Sequence, residues 1–560
     1  MPETSPNANI ARHLTEMATR QPDVAALKVP QGRTATGDID YLVLSFRELE
    51  REVDAWCRRL SIAGVRRGDR VLVMVRQGLP LIAAAFAIFK LGAIPILIDP
   101  GMGLKTFLNC VERSQPRVLL GITLAQLVSR IARRAFRSIE IRISASSSLT
   151  ARLERAQRPS ESSSAVPACT VASTDLAAVL FTSGSTGAPK GVCYEHGMFE
   201  AQIRAIQATY SIQPGEIDLP MLPIFALFNP ALGMTTIVPE IDPRRPASVN
   251  PAAIVQAIQQ EKVTNSFGSP TLWQKIGDHC VKNNVALPTL RRVLCAGAPV
   301  PASLWQSSRT WMPAGLLHSP YGATEALPVT SISADEVARA QGIGACVGRP
   351  VQATEIKIIA CSDAPIVQLD PAQEKTEHEI GEIIVRGPTV TKSYDANPAA
   401  TAAAKIPVSN LPEDPGSVSG SREVWHRMGD CGYIDGAGVL WFCGRKVERV
   451  ETAAGTLFTE PCEKIFRAHP QVKRCALIGL GPRGQQEPAM VIEQKHADAN
   501  SNRDLVTALR ELARSSPLTV SIRRFYFHPA FPVDVRHNAK IHRLTLARWA
   551  ETARTFEAPA

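Results

Sequence analysis

The stretch Leu180-Phe-Thr-Ser-Gly-Ser-Thr-Gly-Ala-Pro-Lys-Gly191 decides how the rest of this 560-residue chain is read. It follows directly on an apolar, strand-like run from Leu176 to Phe181. Gly184, Gly187 and Gly191 carry no side-chain bulk, so backbone N–H groups can close around an anion. Thr182, Ser183, Ser185 and Thr186 add hydroxyl donors, and Lys190 adds a positive charge. Such a loop suits the phosphates of a nucleoside triphosphate. It is not the Walker pattern, because Pro189 precedes the lysine and no Gly-Lys-Ser/Thr follows. The plain alternative is a Gly/Ser-rich surface loop. The segments around it decide between the two.

Outward from the loop, strand-like runs alternate with helical ones. Arg70 to Val75 and Val118 to Ile122 read as strands, and Ser45 as the cap of a helix running from Phe46 to Gly64. Further strands are predicted at Ser266-Phe267, Arg292 to Leu294 and Glu355 to Ile359. This βαβ rhythm predicts an α/β fold, with a large N-terminal domain of mostly parallel sheets flanked by helices over residues 1–444. After Gly444-Arg445-Lys446 the pattern changes. Helices are predicted at Glu460 to Ala468 and Asp504 to Ser515, and strands at Cys475 to Gly479 and Ser521 to Phe527. Residues 445–560 therefore read as a small C-terminal α+β domain. Ser144 to Ser164, Cys361 to Glu379 and Pro407 to Arg422 are polar and read as loops.

Composition narrows the class. Hydrophobic residues make up 45% and charged residues 20%, as in a soluble globular protein. The net charge of +10 fits an enzyme of anionic substrates or a solvated basic surface, and no zinc-finger spacing or aromatic–basic repeat points to nucleic acid. The 12 cysteines contain no Cys-x-x-Cys pair, which predicts free thiols and a cytoplasmic setting. The N-terminus, Met1 to Thr19, lacks the apolar core of a secretory signal. Leu79 to Ile98 has transmembrane length, but Pro80, Gly92, Pro95 and the central Lys90 argue for a buried helix, Leu81 to Lys90, then a buried strand, Ala93 to Leu97.

Four further segments follow the phosphate loop in order. They are Ala296-Gly297-Ala298-Pro299, Tyr321-Gly322-Ala323-Thr324-Glu325, Arg427 to Arg445 with Asp430 inside it, and Asn538-Ala539-Lys540-Ile541-His542-Arg543. Each has a use around ATP. A tyrosine ring can stack on adenine, a glutamate can hold Mg²⁺, an aspartate can accept from both ribose hydroxyls, and arginine or lysine can neutralise charge at a reacting centre. Singly they are weak signals; in this order they reinforce one another.

In these segments the chain resembles the adenylate-forming superfamily of acyl-CoA synthetases, luciferases and peptide-synthetase adenylation domains. Within it, Leu219 to Gly233, Ile241 to Pro246 and Phe531 to Ile541 are similar to the β-lactone synthetases of bacterial long-chain olefin biosynthesis. The resemblance implies ATP and Mg²⁺ as cofactors. It implies that Thr182 to Thr186, with Gly187 and Lys190, hold the β- and γ-phosphates. Gly297, Ala298 and Pro299 would line the adenine site, with Tyr321 and Gly322 beside the base. Thr324 would contact the α-phosphate, Glu325 carry Mg²⁺, Asp430 bind the ribose with Arg445 near it, and Lys540 bridge carboxylate and α-phosphate. Thr324, Glu325 and Lys540 are thus the expected catalytic set, and the C-terminal domain the mobile lid that carries Lys540.

The departures from the family pattern carry information. Pro223-Ile-Phe-Ala226 stands where relatives have Pro-Leu-Phe-His, and the charged hinge residue after Gly-Arg-x is Val447. The resemblance implies activation of a 2-alkyl-3-hydroxy fatty acid as acyl-adenylate, then attack by its own hydroxyl to give a β-lactone. Phe225, Phe228 and Leu232 are candidates for an apolar acyl pocket, against a plain core role. His537, just before the lysine, is a candidate base against a solvated loop residue. The expected partners are the β-hydroxy acid and other enzymes of the same hydrocarbon or lactone pathway. The alternatives are an acyl-CoA or acyl-carrier ligase sharing the first half-reaction, and a non-catalytic scaffold, against which the charged set Lys190, Glu325, Asp430 and Lys540 speaks.

Overall fold

The computed structural model describes residues 7–145, 165–182, 188–242, 248–408, 423–495, 502–533 and 541–557. Two sheets of the N-terminal part position the phosphate loop. The first has six strands, in the order Ile141–Ser144, Val118–Gly121, Arg70–Met74, Ile94–Ile98, Leu176–Thr182 and Lys190–Glu195. All neighbours are parallel except the last pair, a hairpin in which Thr182 lies opposite Lys190. The stretch predicted to hold phosphates lies between these two strands in sequence.

The apolar stretch from Leu79 to Ile98 is a buried helix, Leu79–Lys90, followed by a buried strand. Lys90 is 1% exposed and binds Glu50 Oε1 at 2.5 Å and Asp54 Oδ1 at 2.6 Å. Both carboxylates come from the helix Phe46–Ile62, which Ser45 caps as read from the sequence, with Glu48 closing a capping box. No helix among the described residues is long and apolar enough to cross a membrane.

The second sheet is larger and changes character along its width. Ala25–Arg33, Thr235–Ile237, Ile217–Pro220, Asn265–Gly268, Arg292–Cys295 and Leu316–Ala323 pair in parallel, with helices in the connections. From Ala326 to Arg445 every pairing is antiparallel. The sequence reading did not separate this half. The reason is the two-residue turn Thr324-Glu325, which can only return the chain antiparallel, whereas a parallel return needs a long crossover.

Past the single turn Lys446–Glu448, a four-stranded sheet of Val472–Leu480, Glu487–Gln494, Arg524–Phe527 and Phe556–Glu557 packs with three helices. Two apolar clusters here draw only on residues after Arg449. The strand expected from Ser521 begins at Arg524, because hydrogen-bonded turns occupy residues 515–522. The junction turn is anchored on each side. Lys446 binds Glu382 at 2.8 Å, within the large sheet, and Glu448 binds Arg543 at 2.9 Å, within the C-terminal unit. Val447 between them is 38% exposed. Ion pairs that cross the junction meet at the half-exposed Asp363, which takes the buried Arg449 at 3.2 Å and Arg483 at 2.9 Å.

Candidate active site

The strand pair Leu316–Ala323 and Ala326–Ser333 carries two of the predicted groups at its tip and one on its rising strand. Thr324 and Glu325 form the two-residue turn, and Tyr321 precedes it. Gly322 admits no side chain, since a Cβ there would lie 2.5 Å from the Ala326 carbonyl oxygen. The Tyr321 hydroxyl donates to Asp430 Oδ2 at 2.6 Å. Asp430 also pairs with Arg445 Nη1 at 2.7 Å, its register partner on the next strand. Burial, then the carboxylate, holds the Tyr321 hydroxyl protonated well above its ordinary range, so it stays a donor. Asp430 raises the Arg445 guanidinium in turn. A buried carboxylate is thus held between a fixed phenol and a fixed cation.

A second cluster gathers at the turn. Tyr394 Oη donates to Glu325 Oε1 at 2.7 Å, and the Lys190 ammonium lies 4.8 Å from the centre of the Tyr394 ring. Thr391 donates to the Glu325 carbonyl oxygen through its amide at 2.8 Å and its hydroxyl at 3.1 Å. Isolated bridges pair Ala326 with Val390 and Val192 with Tyr394, so the 390–394 segment straps one sheet to the other. Asp395 at its end takes Arg70 bidentately, at 2.7 and 3.1 Å. The Tyr194 hydroxyl donates to the Thr324 carbonyl oxygen.

Beneath the strap lies Lys405. It is 4% exposed, and its ammonium bonds the Thr391 carbonyl and, at 3.2 Å, the Thr391 hydroxyl. Among the described residues no carboxylate lies within ion-pair distance of it. Burial, with Lys190 adding repulsion and Glu325 opposing both, brings its pKa down to about 7. His426, its register partner, is pushed below its ordinary range by burial and then by Lys405. The sequence reading missed Thr391, Tyr394 and Lys405. Nothing local marks them: Thr391 and Tyr394 reach Glu325 across 66 and 69 residues, and Lys405 opens a three-residue strand.

The remaining predicted residues divide by location. Gly297 follows the strand Arg292–Cys295 at φ 97°, a conformation open to glycine, with Ala298 and Pro299 after it at the same sheet end. Phe225 and Phe228 are half-buried on a short helical turn; Phe225 stacks on Phe267 with ring centres 3.8 Å apart, and Phe228 tilts against Phe199. Leu232 is buried in the N-terminal apolar core. Ser183, Gly184, Ser185, Thr186, Gly187, His537 and Lys540 lie outside the described residues, as does the Thr182 side chain. For Lys540, the described residues on either side of it, Val533 and Ile541, bridge antiparallel.

Residues 14–395 match the AMP-binding enzyme family. Over 559 residues, 98% of each chain, the sequence is 43% identical to an olefin β-lactone synthetase of Xanthomonas campestris pv. campestris. It is 42% identical to the olefin β-lactone synthetase of Stenotrophomonas maltophilia, over 97% of this chain and 98% of that one. In structure it is similar to O-succinylbenzoate coenzyme A synthetase of Bacillus subtilis in complex with AMP, with a TM-score of 0.74, 21% identity and coverage of 99% and 100%.

Proposed function

The chain belongs to the AMP-binding enzyme family, and from that membership we propose that it activates a 2-alkyl-3-hydroxy fatty acid with ATP and closes it to a β-lactone. The observation that carries this reading is the near full-length likeness to the two olefin β-lactone synthetases. The enzyme is an ATP-dependent adenylate-forming ligase.

A carboxylate is a poor electrophile, because its leaving group would be oxide. Attack of its oxygen on the α-phosphorus forms one P–O bond and breaks another, releasing pyrophosphate and leaving AMP as the leaving group. The hydroxyl oxygen then attacks the carbonyl carbon, AMP departs, and the hydroxyl proton is lost. Ring closure to a strained four-membered lactone needs orientation and exclusion of water.

The residues fit these demands. Lys190, which lies opposite Thr182 at the end of its strand, would neutralise the β- and γ-phosphates together with residues 182–187. A single carboxylate with one oxygen held by Tyr394 suits Mg²⁺, which keeps its waters and shares phosphate oxygens. Mg²⁺ held by Glu325 would supply charge neutralisation at the phosphates, with Thr324 beside it on the same turn. The Tyr321–Asp430–Arg445 cluster fits a ribose, whose hydroxyls would donate to Asp430, and the Gly297-Ala298-Pro299 segment and Gly322 fit the base beside it. Lys540, next in sequence to Ile541, would bridge carboxylate and α-phosphate, with residues 445–560 as the lid that brings it. Phe225 and Phe228 offer an apolar wall for an acyl branch; Leu232 would act through the core behind them.

Product analysis tests the reading. A synthetic 2-alkyl-3-hydroxy acid should give AMP, pyrophosphate and lactone with ATP and Mg²⁺ alone, and coenzyme A should alter neither rate nor product. The same acid without its hydroxyl should stop at a tightly held acyl-adenylate. Accumulation of an acyl-CoA would replace the lactone reading with thioester ligation.

A further inference from the structure

The helix Thr123–Ile131 shows solvent the wrong face. Ala125 and Ser129 are its buried residues. On the opposite side Leu124, Leu127 and Ile131, three and four positions apart, are 64%, 53% and 74% exposed. A helix on the outside of a water-soluble domain puts charge in that stripe. Single exposed leucines are ordinary, whereas three large aliphatic side chains in one row mark a contact surface.

Beside the stripe opens a cavity of about 540 Å³ whose lining includes Arg130, Arg133, Arg137 and Arg142. Among the described residues no carboxylate pairs with any of the four. The acidic groups nearby are engaged elsewhere: Glu112 faces Arg134 at 3.5 Å, and Glu140 binds Arg117 at 2.7 Å. Among the described residues these arginines make three hydrogen bonds, Arg142 Nε to Ser129 Oγ at 3.4 Å, Arg142 Nη1 to the Ile139 carbonyl at 3.4 Å and Arg133 Nε to the Arg130 carbonyl at 3.3 Å, which leave most of the guanidinium donors without a described partner. Four guanidinium groups with no carboxylate partner among the described residues thus border an aliphatic row.

We propose that this face docks on an anionic phospholipid bilayer, with headgroup phosphates in the arginine cavity and the Leu124–Leu127–Ile131 row at the acyl boundary. Charge complementarity selects this occupant. Guanidinium forks match phosphate bidentately, and basic groups around an apolar stripe are what an anionic interface takes up. A protein partner would need a dense acidic ring around an apolar knob, since charge is depleted from the centres of protein interfaces. The inference stands apart from the reaction proposed above and does not depend on the substrate.

Vesicle flotation of the full chain tests it. The protein should float with phosphatidylglycerol vesicles and about tenfold less with phosphatidylcholine, and high salt should release it. The triple variants Leu124→Ser/Leu127→Ser/Ile131→Ser and Arg130→Gln/Arg133→Gln/Arg137→Gln should each lose about tenfold of the flotation. Both should keep wild-type ATP–pyrophosphate exchange on a short, water-soluble 3-hydroxy acid, which shows that they fold. Absence of flotation on phosphatidylglycerol, equal flotation on both lipids, or variants that float like wild type would overturn the proposal. So would concentration-dependent self-association abolished by the serine variant, which would assign the face to a second copy of the chain.

Discussion

Lys90 and Lys405 are both buried, at 1% and 4% exposure, and they differ in what faces the charge. Lys90 sits between two carboxylates of the neighbouring helix. Burial works against its charge, but Glu50 and Asp54 outweigh it and its pKa is raised. Lys405 has a carbonyl and a hydroxyl of Thr391 and the edge of the Glu325–Tyr394–Lys190 cluster, and its pKa falls to about 7. A paired buried charge ties two helices together. A buried charge without an ion partner costs stability where it sits, and groups of that kind collect at working sites.

The largest effect that could break this contrast is on stability. Lys90→Met leaves two buried carboxylates without a cation and should destabilise the fold by about 3–5 kcal/mol. Urea unfolding reads the loss, and exchange activity per folded molecule should stay near wild type. A variant as stable as wild type would erase the difference between the two lysines. Lys405→Met should do the opposite. Removing a cation without an ion partner should leave the unfolding midpoint unchanged or higher, while ATP–pyrophosphate exchange falls about tenfold, equivalent to ~1.4 kcal/mol. Parallel losses of stability and activity would make Lys405 a structural group like Lys90.

The next test asks whether Lys405 acts through the turn it underlies. Glu325→Gln keeps the shape and removes the charge that Mg²⁺ favours, so the Mg²⁺ needed for half-maximal exchange should rise several-fold with little change in unfolding midpoint. Combined with Lys405→Met, the losses should fall short of additive by ~0.5–3 kcal/mol, as for coupled neighbours. Strict additivity would separate the two. The smallest expected effect is on pH. Lys405 holds its proton less firmly folded than unfolded, so between pH 7 and about 10 the unfolded chain binds more protons and stability rises with pH. Lys90 is reversed: its contribution is full below its unfolded pKa and is lost only as pH passes its raised folded value. The stability gap between Lys405→Met and wild type should therefore narrow from pH 7 to 10, and a gap independent of pH would argue that Lys405 is not the titrating group.

One member of the pair was legible and the other was not, for a physical reason. Lys90 interrupts an apolar run of membrane-spanning length, which marks the run as a buried helix rather than a membrane span, and the fold supplies its two carboxylates. Lys405 follows Ala402-Ala403-Ala404, where nothing in the local pattern distinguishes a buried lysine from a solvated one. Its burial arises from Lys405–Pro407 pairing with Val424–Ile434, a long-range event. The same division runs through the site. The phosphate hairpin and the Tyr321-to-Glu325 turn are continuous in sequence and could be read directly. The strap that fixes Glu325 joins two sheets, and only the fold shows that Thr391 and Tyr394 meet it. The antiparallel half of the large sheet was hidden likewise, because a two-residue turn and a crossover look alike until pairing is known.

The lid proposed above would turn at Lys446–Glu448. The buried ion pairs of that joint, Lys446–Glu382 and Glu448–Arg543, each close within one body, so twisting the backbone at Val447 strains neither. The pairs that do span it meet at Asp363, itself 52% exposed, where water and dissolved ions compete for the carboxylate. Part of the resistance to twisting is thus placed in contacts that ionic strength can weaken, beside the packing of Phe458 on the Tyr433–Trp441–Cys443 cluster and the bonds of Lys464 to the Gly342 and Gly344 carbonyls. Added salt should soften the joint without loosening either body that it connects.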